Sequence, residues 1–259
     1  MTYRAVSVSV AVAVVALTAI DAFIVYKLQE PGRFIGHVVL RLFCFGIASL
    51  AAGLAAQRYH WWDEYVGRAW TLLFILYALI TVREAINRLA PQAGAAGEAL
   101  VIAGNVAAVG AFWLFGRVLH SAGLEFYGSR MLKIGVFLVA VAIACALVLP
   151  TIISSLTDAM PGIRRASSLA SAAADMITFI LIAPLLLTVW SFRGGQLSWI
   201  YGFLALSTIG WMINQAANDL LPAPIIRDGQ MFGFILACAS VTAAGYSQLA
   251  SSRRGGAHA

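Results

Sequence analysis

The chain has 259 residues, of which 61% are hydrophobic and only 11% charged, where soluble domains carry about 25% charged residues. So apolar a chain cannot cover itself with polar surface in water, which makes the lipid bilayer its expected solvent and first partner. The formal net charge of +6 fits lysine and arginine gathered at the cytoplasmic face of a membrane, and no nucleic-acid partner is expected.

A hydrocarbon core of about 30 Å needs about 20 apolar residues in a helix. Eight segments meet that length in chain order: Ala5–Lys27, Ile35–Gln57, Tyr65–Arg88, Glu98–Leu119, Met131–Ile152, Ser168–Phe192, Ser198–Leu220 and Gln230–Leu249. The first imitates a signal peptide, but it is too long for an ordinary signal core and reads as a transmembrane helix or signal anchor. The apolar runs are continuous rather than alternating, which argues against a β-barrel. In lipid, every backbone polar group must be satisfied within the segment, which leaves helices. The expected fold is therefore an all-α polytopic membrane helix bundle of about eight transmembrane helices. Residues 1–250 form a single bundle and residues 251–259 a short basic flexible tail. No connection is long enough for a soluble kinase, cyclase or nuclease domain.

Eight crossings put loops 1, 3, 5 and 7 on one side, here the odd side, and both termini with loops 2, 4 and 6 on the even side. Six of the seven prolines, Pro31, Pro91, Pro150, Pro161, Pro222 and Pro224, fall towards the odd side, and Pro184 lies within helix 6. Trp61, Trp62, Trp70, Trp113, Trp190 and Trp199 fall towards the even side and read as an interfacial belt, with Trp211 the exception. A wrong helix count would scramble this sorting. Basic residues are nearly balanced between the sides. Discounting Arg41 and Arg83, which lie inside helices, the remainder favours a cytoplasmic even side and cytoplasmic termini in a cell inner membrane.

Ionisable groups inside transmembrane segments are costly and are candidate functional residues by default. Here they are Asp21, Arg41, Arg83, Glu84, Asp175 and, at a helix end, Asp219; Asn105, Asn214, Gln215 and Asn218 are their polar companions. Each lies in the odd half of its helix, most of them about 8–12 Å below the odd surface. In helix 7, Trp211, Asn214, Gln215 and Asn218 follow i, i+3, i+4, i+7 spacing and share one face. Such a polar stripe turns inwards, either as a ligand-binding face floored by Trp211 or as interhelical hydrogen bonding. Glu84 and Arg88 have the spacing of a helical ion pair. Arg41 lies deeper and needs a partner, for which Asp21 or Asp175 would serve. Asp175 follows a small-residue run, 166–174, that lets helices pack closely. It reads as a proton carrier, a cation ligand or a salt-bridge partner.

The sequence carries no cofactor or metal signal. No lysine lies in mid-helix for a retinal-type Schiff base, and the four histidines form no haem or zinc pattern. There is no GxSxG, P-loop or GxGxxG. Cys44, Cys145 and Cys238 sit in apolar runs and read as packing residues. A weak echo between 87–91 (NRLAP) and 218–222 (NDLLP), with Trp70 and Trp199 opening the same two helices, suggests a 4+4 parallel repeat.

Helix 6 ends on Trp190-Ser191-Phe192-Arg193-Gly194-Gly195. Helix 7 opens on Leu197-Ser198-Trp199 and closes on Asn218-Asp219. The stretch 175–219 resembles the multi-helix membrane sensor modules of bacterial signalling proteins. The resemblance implies a bacterial sensor-like bundle acting through a partner, and it transfers no ligand residues. Three functions follow as expectations. The first is a bacterial membrane protein binding a small molecule, ion or lipid in a polar pocket near the periplasmic face, as sensor or transporter. The second is a structural or assembly subunit of a larger membrane complex, with a membrane-protein partner or a second copy of itself. The third is an intramembrane lipid-modifying enzyme using Asp175 or Glu84 as acid–base group; without a recognisable nucleophile, a non-enzymatic role is favoured.

Overall fold

The structure, a computed structural model, describes residues 3–121, 128–191, 196–222 and 225–255. Among these it holds eight α-helices and no strand: α1 Tyr3–Lys27, α2 Gly32–Arg58, α3 Tyr65–Leu89, α4 Gly94–Ser121, α5 Arg130–Thr157, α6 Gly162–Ser191, α7 Gln196–Leu220 and α8 Ile226–Gly255. All eight are long and apolar enough to cross a membrane. A 3-10 turn, Pro91–Ala93, joins α3 to α4. The described connections are short, so consecutive helices run antiparallel.

Most helices outlast their apolar runs. The α6 helix begins at Gly162 rather than Ser168, and α4 at Gly94 rather than Glu98. Once nucleated, a helix propagates through polar residues at little cost, so Arg164 and Arg165 extend α6 beyond the hydrocarbon. Pro161 stands just before α6 and Pro31 is the N-cap residue of α2, where the missing N–H costs nothing. Ser129 caps α5, its Oγ accepting from the Leu132 amide at 3.3 Å. Pro150 sits inside α5, which continues to Thr157. The α8 helix runs through Gly255, so the first residues of the expected basic tail are helical; 256–259 lie outside the described residues.

The most extensive contacts join α7 to α8, α3 to α4 and α2 to α3. The α2 helix packs on α3 and α8, and α6 packs on α7 and α4. Exchanging the halves of the chain maps one of these pairs of neighbours onto the other, as a four-helix repeat about a two-fold axis would. The outer helices depart from it, since α1 packs on α8 and lightly on α2, whereas α5 packs on α6 and α7.

Small residues set the close approaches. A methyl group on Gly210 of α7 would stand 2.7 Å from the Gly233 carbonyl of α8, and one on Gly233 would stand 2.6 Å from the Gly210 carbonyl. The even half is filled by aromatic rings. Trp70 and Phe115 meet edge to face at 5.5 Å, Phe115 and Tyr201 at 6.0 Å, and the Tyr201 hydroxyl donates to the Phe115 carbonyl at 3.0 Å. Trp70 is therefore fully buried and is no part of an interfacial belt, whereas Trp62 and Trp113 are exposed on the helix surface. The Trp190 side chain lies outside the described residues.

Candidate functional site

Every helix except α1 contributes to one cavity of about 360 Å³ in the odd half. That volume sits at the small end of the range of roughly 300–1,000 Å³ for ligand pockets. Arg41 reaches it from α2, Arg83 from α3, Asn105 from α4 and Asp175 from α6; Trp211, Asn214 and Gln215 reach it from α7. Seven of the eleven residues singled out in the sequence thus share one space. Glu84 stands behind it, Asp21 lies elsewhere, and the side chain of Asn218 is outside the described residues, as is that of Asp219.

The polar stripe of α7 extends further than expected. Ser207 and Thr208, one turn before Trp211, also line the cavity. Trp211 is more than an apolar floor: its Nε1 donates to the Tyr77 hydroxyl at 3.3 Å, and that hydroxyl lies 3.4 Å from Ser207 Oγ. Asn214 Nδ2 donates to the Gln230 carbonyl of α8 at 2.7 Å. The α6 helix has a stripe of its own, Ser168, Ser171, Asp175 and Thr178, at i, i+3, i+7 and i+10. Asn105 Nδ2 donates to Ser171 Oγ at 2.8 Å. The α6 spacing was readable in the sequence, but serine and threonine pass for small packing residues in an apolar helix. Tyr77 carried no such signal, because only the fold brings it beneath Trp211.

Charge is distributed unevenly. Glu84, buried at the end of α3, is the single carboxylate for three guanidiniums: Arg41 Nε at 3.2 Å, Arg83 Nη1 at 3.6 Å and Arg88 Nη2 at 3.3 Å. Arg41 therefore pairs with Glu84 rather than with Asp21 or Asp175. Its guanidinium also lies over the Phe234 ring at 5.3 Å, a favourable placement for a cation. Asp21 pairs instead with buried His37, Oδ1 to Nδ1 at 3.0 Å. Nothing in the sequence singles out His37, which lies one turn before Arg41 on α2.

The Asp175 carboxylate opens into the cavity and has no hydrogen bond or ion pair among the described residues. A carboxylate in the membrane interior without a partner is energetically costly, so the position calls for a proton or a bound cationic group. No group of three or more His, Cys, Asp or Glu residues that could hold a metal occurs among the described residues.

Towards the odd side the cavity meets a vestibule of about 510 Å³, with Arg41, Asn214 and Gln230 lining both. Arg33, Arg88 and Arg227 line the vestibule as well, with Glu30 its only acidic residue among the described residues. Towards the even side the cavity is lined by Leu73 and Phe112, and Phe112 packs on the Phe115 ring at 6.3 Å. The cavity thus borders a basic recess on one side and an aromatic layer on the other.

Fold and site together define a polytopic membrane helix bundle with a polar cavity sunk into one half. No protein-family model matches the chain, and neither a curated protein nor a solved structure is detectably similar to it.

Proposed function

We propose that this chain is a bacterial inner-membrane protein that binds a small polar molecule in the cavity, reached from the periplasmic side, as a sensor or a transporter. The observation that carries this reading is Asp175, a carboxylate facing a polar cavity between helices with no partner among the described residues. Helix-to-helix adhesion alone would have paired it, as it pairs Asn105 with Ser171. A ligand-binding role explains why the polar groups border a space instead of closing on each other. Leu73 and Phe112, which line the even side of the cavity, favour sensing, since transport requires a way through that layer.

Native mass spectrometry of the protein released from its own membranes in mild detergent tests the proposal. A stoichiometric small-molecule adduct is expected, lost in Asp175→Asn and weakened in Asn214→Ala. Co-purifying protein subunits with no adduct would instead make the chain an assembly subunit, with the polar groups serving as contacts between helices.

A further inference from the structure

The charges around the cavity bear on what kind of molecule it takes. Three guanidiniums share the Glu84 carboxylate, and two of them, those of Arg41 and Arg83, line the cavity. That end carries more positive charge than its carboxylate balances. Asp175 supplies a negative charge that nothing among the described residues balances. Arg83 comes six residues before the odd end of α3 and Arg41 nine residues after that of α2, while Asp175 comes thirteen residues after that of α6. At 1.5 Å per residue they lie about 9, 14 and 20 Å along their own helices from those ends. The unbalanced charges line one cavity from three different helices, and no ion pair among the described residues joins Asp175 to either arginine.

Resting on the ligand-binding reading above, we propose that the cavity takes a dipolar small molecule whose anionic group, a carboxylate or phosphate, meets the Arg41 and Arg83 guanidiniums and whose amine meets Asp175. A simple anion would satisfy the arginines and leave Asp175 only a proton to neutralise it. A simple cation would have to pass the vestibule arginines, which repel it. A neutral polyol would answer neither charge. A guanidinium's planar fork suits a carboxylate or phosphate, and the ammonium-to-Asp175 contact is charge-assisted too. Asn105, Asn214 and Gln215 supply neutral donors and acceptors along the middle. Two sources share this chemistry: a soluble amino acid or phosphoamine, and the head group of a phosphatidylethanolamine.

The test uses the full-length protein in detergent and follows its unfolding temperature and tryptophan fluorescence. The dipolar probes are glutamate, γ-aminobutyrate and phosphoethanolamine. Butyrate and phosphate serve as anions, butylamine as cation and glycerol as neutral control. A saturable stabilisation by at least one dipolar probe is expected, exceeding that of its single-charge counterparts. Asp175→Asn should weaken that probe about ten- to a hundredfold while leaving butyrate or phosphate unchanged. Arg83→Gln should do the reverse, weakening anions and dipolar probes alike and sparing butylamine. Asp175→Glu, which keeps the charge, should retain part of the binding and shows that loss in Asp175→Asn is not misfolding. Stabilisation by phosphatidylethanolamine nanodiscs but not by soluble phosphoethanolamine would assign the ligand to the bilayer.

Binding of anions or glycerol alone, or equal losses for butyrate and γ-aminobutyrate in Asp175→Asn, would overturn the dipolar assignment and leave a ligand-binding cavity. If no probe binds, the composition of the adduct in native mass spectrometry decides. An adduct lacking either charge overturns this assignment only, and no adduct overturns both it and the proposed function.

Discussion

Glu84 is the residue on which the charges of the odd half converge. It is buried, while Arg41, Arg83 and Arg88 keep 29, 27 and 32% of their side-chain surface exposed. Removing one member of a buried ion pair costs about 3–5 kcal/mol because the remaining charge is stranded. The partial exposure of the arginines places Glu84→Gln near the low end, at about 3 kcal/mol lost in a reversible unfolding titration in mixed micelles. A loss under about 1 kcal/mol would mean that vestibule water already solvates the arginines. The Glu84–Arg88 pair was legible in the sequence, because both partners lie on one helix four residues apart. The Arg41 contact was not, because it spans α2 and α3. The sequence supplied charges needing partners but not the helix adjacency that selects among them, so Asp21 and Asp175 looked equally suitable. That same missing adjacency hid His37, which takes Asp21, and so left the isolation of Asp175 unseen.

Among the helices, the α7–α8 pair sets one wall of the cavity, and its spacing depends on two glycines facing each other. A methyl group on Gly233 would come within 2.5 Å of the Asn214 amide nitrogen, and Asn214 lines the cavity. Gly233→Ala should therefore push α7 away from α8, cost about 1–3 kcal/mol as an overpacking change, and weaken ligand stabilisation because Asn214 moves. Gly202 of α7 provides the contrast: nothing lies within 4 Å of a methyl placed there. Gly202→Ala should be neutral or stabilise by up to about 1 kcal/mol through helix propensity. Unfolding midpoints of the two variants measured side by side check this, and equal effects would show that the close approach of α7 and α8 is unimportant. The eight helices themselves were legible because lipid leaves the backbone no alternative. Their ends were not, since an apolar run marks where the hydrocarbon stops rather than where the hydrogen bonds do.

For the molecule as a whole, the cavity changes how its surface charge is counted. The basic residues of the two sides were nearly balanced in the sequence, and setting aside Arg41 and Arg83 tipped the count towards the even side. Arg33, Arg88 and Arg227 line the vestibule, so their positions answer to that recess as much as to topology. Setting them aside too leaves Lys27, Arg164 and Arg165 on the odd side, against Arg58, Arg68, Arg117, Arg130 and Lys133 among the described side chains of the even side. Positive charge near helix ends is retained in the cytoplasm, so the even side with both termini should be cytoplasmic and the vestibule should open to the periplasm. Reporter fusions in a bacterial host test this. A fluorescent protein at the C-terminus should light up, and alkaline phosphatase inserted after Asp158, in the connection between α5 and α6, should be active. The opposite pattern would place the vestibule in the cytoplasm, and the ligand would then come from the cell interior. The arginines would in that case serve both as topology signals and as the lining of the way in, which a count of charges from the sequence cannot separate.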